Sequence, residues 1–338
     1  MRTIGIFGFG RTGRNMLRIL HGHPTVRVGA ISDLADSDAL AYLVKFDTLL
    51  GRFPGRVALD NGSLCLDGER IPLLTGPAQK DPPRWRELGV ETVLEATSRG
   101  RTRAEAEAHL AAGARRVILL ASPAEPPDIT VVRGVNDGDL RPEHRIVSNA
   151  SATVHCVAPI VRILHDAFGI RRAVFTTVHA YTSAHRLADV PAEDKRRGRA
   201  AAENIIPQVS RSPAVLAEVL PELADRVTGY AMNVPVSHGS VVDLVCWHER
   251  TVTRDSVNAL VRDAASTARW KDLVAFETEP IVSSDIARAS HSATFDSLAT
   301  MTLGDHVSKT LAWFGSGDGY ARRAVELVDE FAGLEGDR

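Results

Sequence analysis

A glycine-rich run near the start of the chain has the spacing of a phosphate-binding loop. Gly8, Gly10 and Gly13 form a G-x-G-x-x-G pattern directly after an apolar strand and at the start of a helical pattern. Glycines permit a tight turn and a close approach of the backbone to a pyrophosphate, which meets the helix N-terminus. With Arg11 and Thr12 between them, these residues are the candidate cofactor loop.

Asp33 supplies the second part of this dinucleotide motif. It follows the next predicted strand, 20 residues after Gly13, where a carboxylate can accept hydrogen bonds from an adenosine ribose. An acidic group there disfavours a 2′-phosphate, so the expected cofactor is NAD and NADP is less favoured. The other interpretation is a glycine turn that only packs strand against helix, with Asp33 as a cap.

Alternating strand and helix patterns surround this loop. Buried strands are predicted at residues 3–7, 26–31, 91–95 and 116–120, with helices at 11–20 and 103–112. This rhythm predicts a mostly parallel sheet with helices on both faces, which is a Rossmann-type NAD-binding domain over residues 1–150. Asn61 and Gly62 predict a hairpin inserted into that domain.

After about residue 150 the strands become longer. A helix is predicted at residues 151–167, strands at 173–178, 226–236, 240–247 and 308–314, and helices at 253–265 and 319–331. The pattern predicts an α+β catalytic or substrate domain with a broad mixed sheet over residues 151–316. The closing helix, in residues 317–338, is expected to pack back on the first domain.

Composition restricts the classes of protein. A hydrophobic share of 44% and a charged share of 24% are those of a globular protein, and the formal net charge of -2 gives no general attraction to nucleic acid or to a membrane. No apolar run is long enough to cross a bilayer. The cysteines, Cys65, Cys156 and Cys246, are too scattered for a disulfide framework. These features favour a cytoplasmic protein. No cluster has the spacing of zinc ligands, so we expect no metal site.

The run S-N-A-S-A-T-V-H-C at residues 148–156 resembles the S-N-A-S-C-T-T-N-C signature of glyceraldehyde-3-phosphate dehydrogenases. Matching segments occur in the same order at residues 8–14, 45–55, 176–182, 196–207 and 234–244. The resemblance implies an NAD-binding Rossmann domain, a catalytic α+β domain with a broad mixed sheet, and a homotetramer. It also implies that the basic run at residues 195–199 is an interface segment and does not bind nucleic acid.

The departures from the family pattern fall on the implied active site. Ala152 stands at the position of the catalytic cysteine, and a methyl group cannot form a covalent thiohemiacetal. His155 replaces an asparagine of the signature, and Asn233 replaces the arginine that binds an anion. Near the C-terminus Ser316 replaces the asparagine that holds the nicotinamide amide, whereas Tyr320 is retained.

The resemblance assigns roles to the remaining polar residues. His179 matches the catalytic histidine and can act as acid or base at a substrate oxygen; an idle relic is the alternative. His155 is either a second proton carrier or a packed helix histidine. The candidates for holding a small anionic or phosphorylated metabolite are Ser151, Thr153, Thr182, Ser210, Arg211 and Asn233. Arg211 is interpreted either as a relocated anion-binding cation or as half of a salt bridge. Cys156 is expected to be a buried core residue.

Three functions from different classes remain open. The favoured hypothesis is an NAD-dependent oxidoreductase that moves hydride to or from a hydroxyl or carbonyl of a small anionic metabolite without a covalent thioester. A catalytically silent NAD-binding sensor or scaffold is the second. The third is a non-redox enzyme that acts on the nicotinamide cofactor or on a phosphorylated metabolite. A cysteine-to-alanine change engineered into an ordinary aldehyde dehydrogenase also explains Ala152, but leaves Asn233, Arg211, His155 and Ser316 unexplained.

Overall fold

The structure is a computed structural model that describes residues 1–76, 81–97, 102–182, 184–315 and 317–336. The chain divides into two compact units. The first contains Met1–Val131, Gly138–Ser151 and Ala321–Arg338, and the second contains Val132–Asp137 and Ala152–Tyr320.

The first unit is built on a sheet of nine strands among the described residues, in the order β10-β11-β9-β8-β1-β2-β7-β6-β5. Its strands are β1 (Arg2–Phe7), β2 (Val26–Asp33), β5 (Val57–Asp60), β6 (Ser63–Leu66), β7 (Glu69–Thr75), β8 (Thr92–Glu95), β9 (Arg116–Leu119), β10 (Ile129–Thr130) and β11 (Ile146–Ser148); β3 (Phe46–Asp47) and β4 (Gly51–Arg52) pair separately. The strands from β10 to β7 are parallel, and β6 and β5 extend the sheet antiparallel.

Three helices accompany this sheet between its strands: α1 (Arg11–Leu20), α2 (Ser37–Lys45) and α3 (Arg103–Ala111). Helix α3 begins with a capping box, in which Thr102 accepts from the backbone of Glu105 and the Glu105 carboxylate accepts from the backbone of Thr102. The buried core of the unit includes Ile4, Ile6 and Met16, and it also includes Val325 and Phe331 of the last helix, α7 (Asp318–Gly336).

The second unit is built on a mixed sheet of seven strands in the part of the chain that the structure describes, in the order β13-β14-β12-β15-β18-β17-β16. The strands are β12 (Ile170–Ala180), β13 (Ile206–Gln208), β14 (Val227–Val234), β15 (Ser240–His248), β16 (Val274–Glu277), β17 (Ala293–Leu303) and β18 (Val307–Phe314). Helices α4 (Ala152–Phe168), α5 (Ser212–Val219) and α6 (Arg254–Ala265) pack against it. The fold is therefore a Rossmann-type sheet together with an α+β unit carrying a broad mixed sheet.

Most of the elements predicted from sequence are present, including the hairpin that turns at Asn61 and Gly62. The elements that were not predicted are strands β3, β4, β7, β10, β11, β13, β16 and β17 and helices α2 and α5. The longest of these, β17, has a register irregularity between Asp296 and Met301. Such an irregularity interrupts the apolar alternation by which a strand is recognised in a sequence.

Candidate functional site

The G-x-G-x-x-G run forms a sharp turn between β1 and α1. Gly8 has φ +93°, and a Cβ built there would lie 2.7 Å from the backbone nitrogen of Thr97. A Cβ on Gly13 would lie 2.4 Å from the carbonyl oxygen of Gly8, whereas one on Gly10 would meet nothing within 4 Å. Gly8 and Gly13 are thus required by packing, and Gly10 borders open space in front of the helix.

The N-terminus of α1 is free to hold an anion. Its N-cap residue is Gly10, which has no side chain to cap the first amides of the helix, and the first turn contains no acidic residue. The first amides of a helix lack partners within the helix and carry the positive end of its dipole. A pyrophosphate therefore fits beside Gly10, where a larger side chain would fill the space.

Asp33, at the end of β2, is hydrogen-bonded to the glycine loop. Its Oδ2 accepts from the backbone N–H of Phe9 over 2.6 Å, and Oδ1 accepts from the backbone N–H of Ala35 over 2.9 Å. A carboxylate has about four acceptor positions, so two remain for ribose hydroxyls. The donor set and the open space at Gly10 both fit a dinucleotide.

A buried hydrogen-bond chain supports this loop from the neighbouring strand β8. Glu95 accepts from the backbone N–H of Thr97 over 2.7 Å and from the Thr97 hydroxyl over 2.5 Å, and its other oxygen lies 3.1 Å from Nε2 of His109. Since the indole N–H of Trp85 donates to Nδ1 of His109 over 3.0 Å, His109 carries its proton on Nε2 and donates it to Glu95. Thr97 is thereby fixed against Gly8, at the point where the strand order reverses between β1 and β8.

In the second unit, three neighbouring strands place His179, Asn233 and Ile206 in one row across the sheet. His179 of β12 pairs with Asn233 of β14, which pairs with Ile206 of β13. Residues directly opposite each other on paired strands point to the same face. The sheet therefore brings two of the sequence-predicted residues, His179 and Asn233, together.

The protonation pattern of His179 follows from its hydrogen bond. Nδ1 lies 2.6 Å from the carbonyl oxygen of Ala180. A carbonyl only accepts, so the proton of the neutral ring is on Nδ1 and Nε2 keeps its lone pair. Burial lowers the pKa of His179 below its ordinary value, although the bond to Ala180 acts in the opposite direction. The ring also packs edge-on against Phe314, with centroids 5.9 Å apart. His179 is thus held as a neutral base.

Helix α4 begins at the alanine of the signature run. Ala152 is half-buried, and the next residues, Thr153 and His155, are buried at 7% and 2% exposure. The His155 ring packs edge-on against Tyr320, with centroids 5.9 Å apart. Ser151, just before the helix, is half-buried. His155, a candidate proton carrier, and Tyr320, a candidate cofactor residue, are therefore neighbours.

Cys156 lies in the core, as expected from sequence. It is fully buried, and its Sγ donates to the carbonyl oxygen of Ala312 over 3.5 Å. Burial raises the pKa of the Cys156 thiol far above its ordinary value. Because the thiolate is the nucleophilic form, this burial disfavours a nucleophilic role for Cys156 in the folded protein. Cys246 is also fully buried with a raised pKa, and Cys65 is half-buried on the hairpin of the first unit.

His185, which the sequence interpretation did not single out, is the centre of a polar cluster. Nδ1 accepts from the backbone N–H of Thr182 over 3.0 Å and lies 3.1 Å from the Thr182 hydroxyl. Nε2 lies 3.1 Å from the side-chain amide of Gln208 and also contacts the side-chain amide of Asn233. We refer to Thr182, His185, Gln208 and Asn233 as the His185 cluster.

Burial lowers the pKa of His185 below its ordinary value, and the nearby cation Arg197 acts in the same direction. The ring is therefore neutral near pH 7. Two features of the sequence could have indicated this cluster. His185 follows Thr182 by three residues, and Gln208 precedes Ser210 by two residues.

The remaining predicted anion ligands lie at the start of α5. Ser210 is half-buried, and its hydroxyl oxygen accepts from the backbone N–H of Ser212 over 3.1 Å. Arg211 is the exposed N-cap residue of α5 and makes no side-chain capping bond. Ser316, predicted to contact the nicotinamide, lies outside the described residues.

Other classes of site find no support among the described residues. They contain no group of three or more His, Cys, Asp and Glu residues placed to hold a metal ion. They also contain no helix long and apolar enough to cross a membrane.

A Rossmann sheet with this glycine loop, together with an α+β unit that carries a broad mixed sheet, is the architecture of a class of NAD-binding dehydrogenases. Residues 2–103 match the family model described as "Glyceraldehyde 3-phosphate dehydrogenase, NAD binding domain", and residues 151–316 match the model of its C-terminal domain. The chain belongs to the glyceraldehyde-3-phosphate dehydrogenase family, and its cofactor is NAD.

Curated relatives align with almost the whole chain. The glyceraldehyde-3-phosphate dehydrogenase of Geobacillus stearothermophilus is 42% identical over 328 residues, which cover 96% of each chain. That of Streptomyces coelicolor is 43% identical over 327 residues, covering 96% of this chain and 97% of the relative. That of Thermotoga maritima is 42% identical over 331 residues, covering 97% and 98%.

Proposed function

We propose that this family member is an NAD-dependent oxidoreductase that moves hydride between NAD and a hydroxyl or carbonyl of a small anionic metabolite, without a covalent thioester. The names of the relatives favour the family's ordinary phosphorylating reaction. The proposal departs from that reaction because Ala152 stands at the position that the signature run assigns to the nucleophile. The observation that carries it is the state of Cys156, whose thiol is fully buried four residues later.

The missing nucleophile leaves the proton-transfer part of the site in place. When bound, NAD supplies a hydride acceptor for a carbon–hydrogen bond. In the oxidation direction, Nε2 of His179 accepts the proton of the substrate hydroxyl as the carbonyl forms, and in the reverse direction the protonated ring returns it. No covalent bond to the protein is formed or broken.

The cofactor is proposed to be held by residues of the first unit. The amides around Gly8, Gly10, Arg11, Thr12 and Gly13 would bind the pyrophosphate, and Asp33 would bind the ribose. The acidic side chain supports NAD over NADP. Tyr320 and Ser316 are retained as candidates for the nicotinamide side.

The substrate is proposed to be held in the second unit. Arg211 and Ser210 offer an exposed cation and a hydroxyl at the N-terminus of α5, which suits a carboxylate or phosphate. Thr182 and Asn233 contribute through the His185 cluster. Ser151, Thr153 and His155 are secondary candidates, since Thr153 and His155 are buried.

We also propose that the protein is cytoplasmic and that it forms a homo-oligomer. The family resemblance implies that this oligomer is a tetramer. The face of the second sheet opposite His179 exposes Tyr230, Trp247, Met301 and Leu303 at 46%, 42%, 54% and 76%. An apolar face of this kind is typical of a surface covered by another subunit. Light scattering of the purified protein tests this assignment.

The activity is tested by calorimetric titration with NAD, NADH and NADP, followed by a spectrophotometric search for nicotinamide reduction with phosphorylated and carboxylated alcohols. We expect NAD to bind and at least one alcohol to be oxidised, with the oxidation lost in His179→Ala. Tight NAD binding with no turnover on any alcohol would replace the proposal with the sensor or cofactor-modifying function. The absence of dinucleotide binding would contradict both enzymatic hypotheses for this protein.

A further inference from the structure

We infer that the His185 cluster is a subsite for an uncharged oxygen of the substrate, a hydroxyl or a carbonyl, and that it excludes a phosphate or carboxylate from that position. The inference deepens the proposed function and depends on it, since it assumes that the substrate reacts at the neighbouring His179. It assigns to His185 the role of a specificity-determining residue.

The hydrogen bonds of the cluster fix the proton of His185. A backbone N–H can only donate, so the bond of 3.0 Å from Thr182 requires a lone pair on Nδ1. The proton of the neutral ring is then on Nε2, which faces the amides of Gln208 and Asn233. The amide nitrogens of Gln208 and Asn233 lie nearest Nε2. The oxygen and nitrogen of an amide are interchangeable by a flip, so we assign an oxygen to that position in each amide, and the two oxygens share the single Nε2–H. Their NH2 groups are left to donate elsewhere.

All four side chains of the cluster are uncharged in this state. Asn233 is buried, whereas Thr182, His185 and Gln208 are half-buried and reachable from solvent. The donors on offer are amide N–H and hydroxyl groups, which suit a neutral oxygen. A dianion placed here would lose hydration and find no cation among the four side chains of the cluster, which is unfavourable. Arg197, which acts on the ring from outside the cluster, is exposed to solvent.

Protonation does not convert the cluster into an anion site at neutral pH. A cationic His185 would carry a proton on Nδ1, directed at the N–H of Thr182, so that bond would be lost. Arg197, a cation that acts on the ring, opposes a positive charge there. The exposed cation of the proposed substrate site is Arg211, at the start of α5. The substrate is thus expected to place one anionic group near Arg211 and an uncharged group at His185.

The test uses nuclear magnetic resonance of protein with 15N-labelled histidine, with NAD present, titrated with inorganic phosphate. In the unmodified protein we expect His185 to show the Nε2–H tautomer, and its resonances to stay fixed up to tens of millimolar phosphate. In Asn233→Arg we expect the same resonances to shift with phosphate, since a guanidinium now faces the ring. Gln208→Arg introduces a guanidinium on the exposed side of the cluster and replaces Asn233→Arg if that variant does not fold.

A second arm compares D-glycerate with 3-phosphoglycerate, which differ only in whether the far end is a hydroxyl or a phosphate. By calorimetry the unmodified protein should bind D-glycerate at least as tightly, and the arginine variant should shift the preference toward 3-phosphoglycerate by about tenfold or more. Phosphate-dependent shifts of His185 in the unmodified protein, or its preference for 3-phosphoglycerate, would overturn the inference. Neither experiment requires turnover. The subsite can therefore be contradicted while hydride transfer is observed, and hydride transfer can be absent while the subsite is supported.

Discussion

Nδ1 of His179 lies 2.6 Å from the carbonyl oxygen of Ala180, the next residue along the strand. This bond assigns the ring proton to Nδ1 and leaves Nε2 as a base. A positioned base contributes about 10²- to 10⁴-fold to a reaction rate. We therefore expect His179→Ala to lower kcat/KM by about that factor while the dissociation constant of NAD stays unchanged. Stopped-flow kinetics and calorimetry check the two quantities, and activity within threefold of the unmodified protein would show that His179 is not the base.

The same histidine predicts the acid limb of the rate profile. Burial lowers the pKa of His179, so the neutral, basic form persists below the ordinary value of about 6.5. In the oxidation direction, kcat/KM should therefore begin to fall only below about pH 6.5. A fall in kcat/KM that begins above pH 6.5 would mean that the protonation of another group limits the reaction.

Stability should decrease on mild acidification because histidines that lose contact with solvent on folding are neutral in the fold. Burial lowers the pKa of His179, His185 and His248. Between their folded pKa values and about pH 6.5 the unfolded chain binds more protons, so the free energy of unfolding falls as pH falls. Urea midpoints measured at pH 7.5, 6.5 and 5.5 should decrease in that order. His248→Gln should flatten the trend, and equal midpoints for the unmodified protein would contradict the assignment.

Two glycines of the cofactor loop form a matched pair of variants. In Gly8→Ala the side chain meets Thr97 at φ +93°, so we expect a loss of about 1–3 kcal/mol of stability together with loss of NAD binding. In Gly10→Ala, where φ is -68° and the Cβ meets nothing, stability should be within about 0.5 kcal/mol of the unmodified protein. NAD affinity should still fall. Denaturation and calorimetry separate the two effects, and equal loss of stability in both variants would argue against this account of the loop.

Thiol labelling distinguishes a core cysteine from a displaced nucleophile. With iodoacetamide at pH 8 the folded protein should be labelled at Cys65, which is half-buried, and not at Cys156 or Cys246. All three should react after unfolding in urea. Peptide mass spectrometry locates the label, and Ala152→Cys provides a positive control for a thiol at the start of α4. Rapid labelling of Cys156 in the folded protein would revive a thiol mechanism.

The cofactor half of the molecule could be predicted from sequence because its signals are local. The strand, glycine turn, helix and Asp33 all lie within residues 2–33, and each is recognisable from residue type and spacing. The support from Glu95, Thr97 and His109 could not be predicted in this way, because it joins Trp85 to a loop far away in the sequence.

The substrate site was harder to predict because its residues come together from distant positions in the sequence. The family resemblance located His179 and Asn233, but the sheet register brings them together. His185 acquires its surroundings from Gln208 and Asn233, which are 23 and 48 residues away. No periodicity in the sequence reports such a cluster.

Acyl phosphate formation tests most directly whether the protein carries out thiol chemistry, which we propose it does not. The unmodified protein is incubated with NAD, glyceraldehyde 3-phosphate and inorganic phosphate, with NADH followed by absorbance and acyl phosphate trapped as the hydroxamate. We expect neither product from the unmodified protein. Formation of acyl phosphate is expected only when Ala152→Cys is introduced, and more strongly together with Asn233→Arg. Acyl phosphate produced by the unmodified protein would contradict the account.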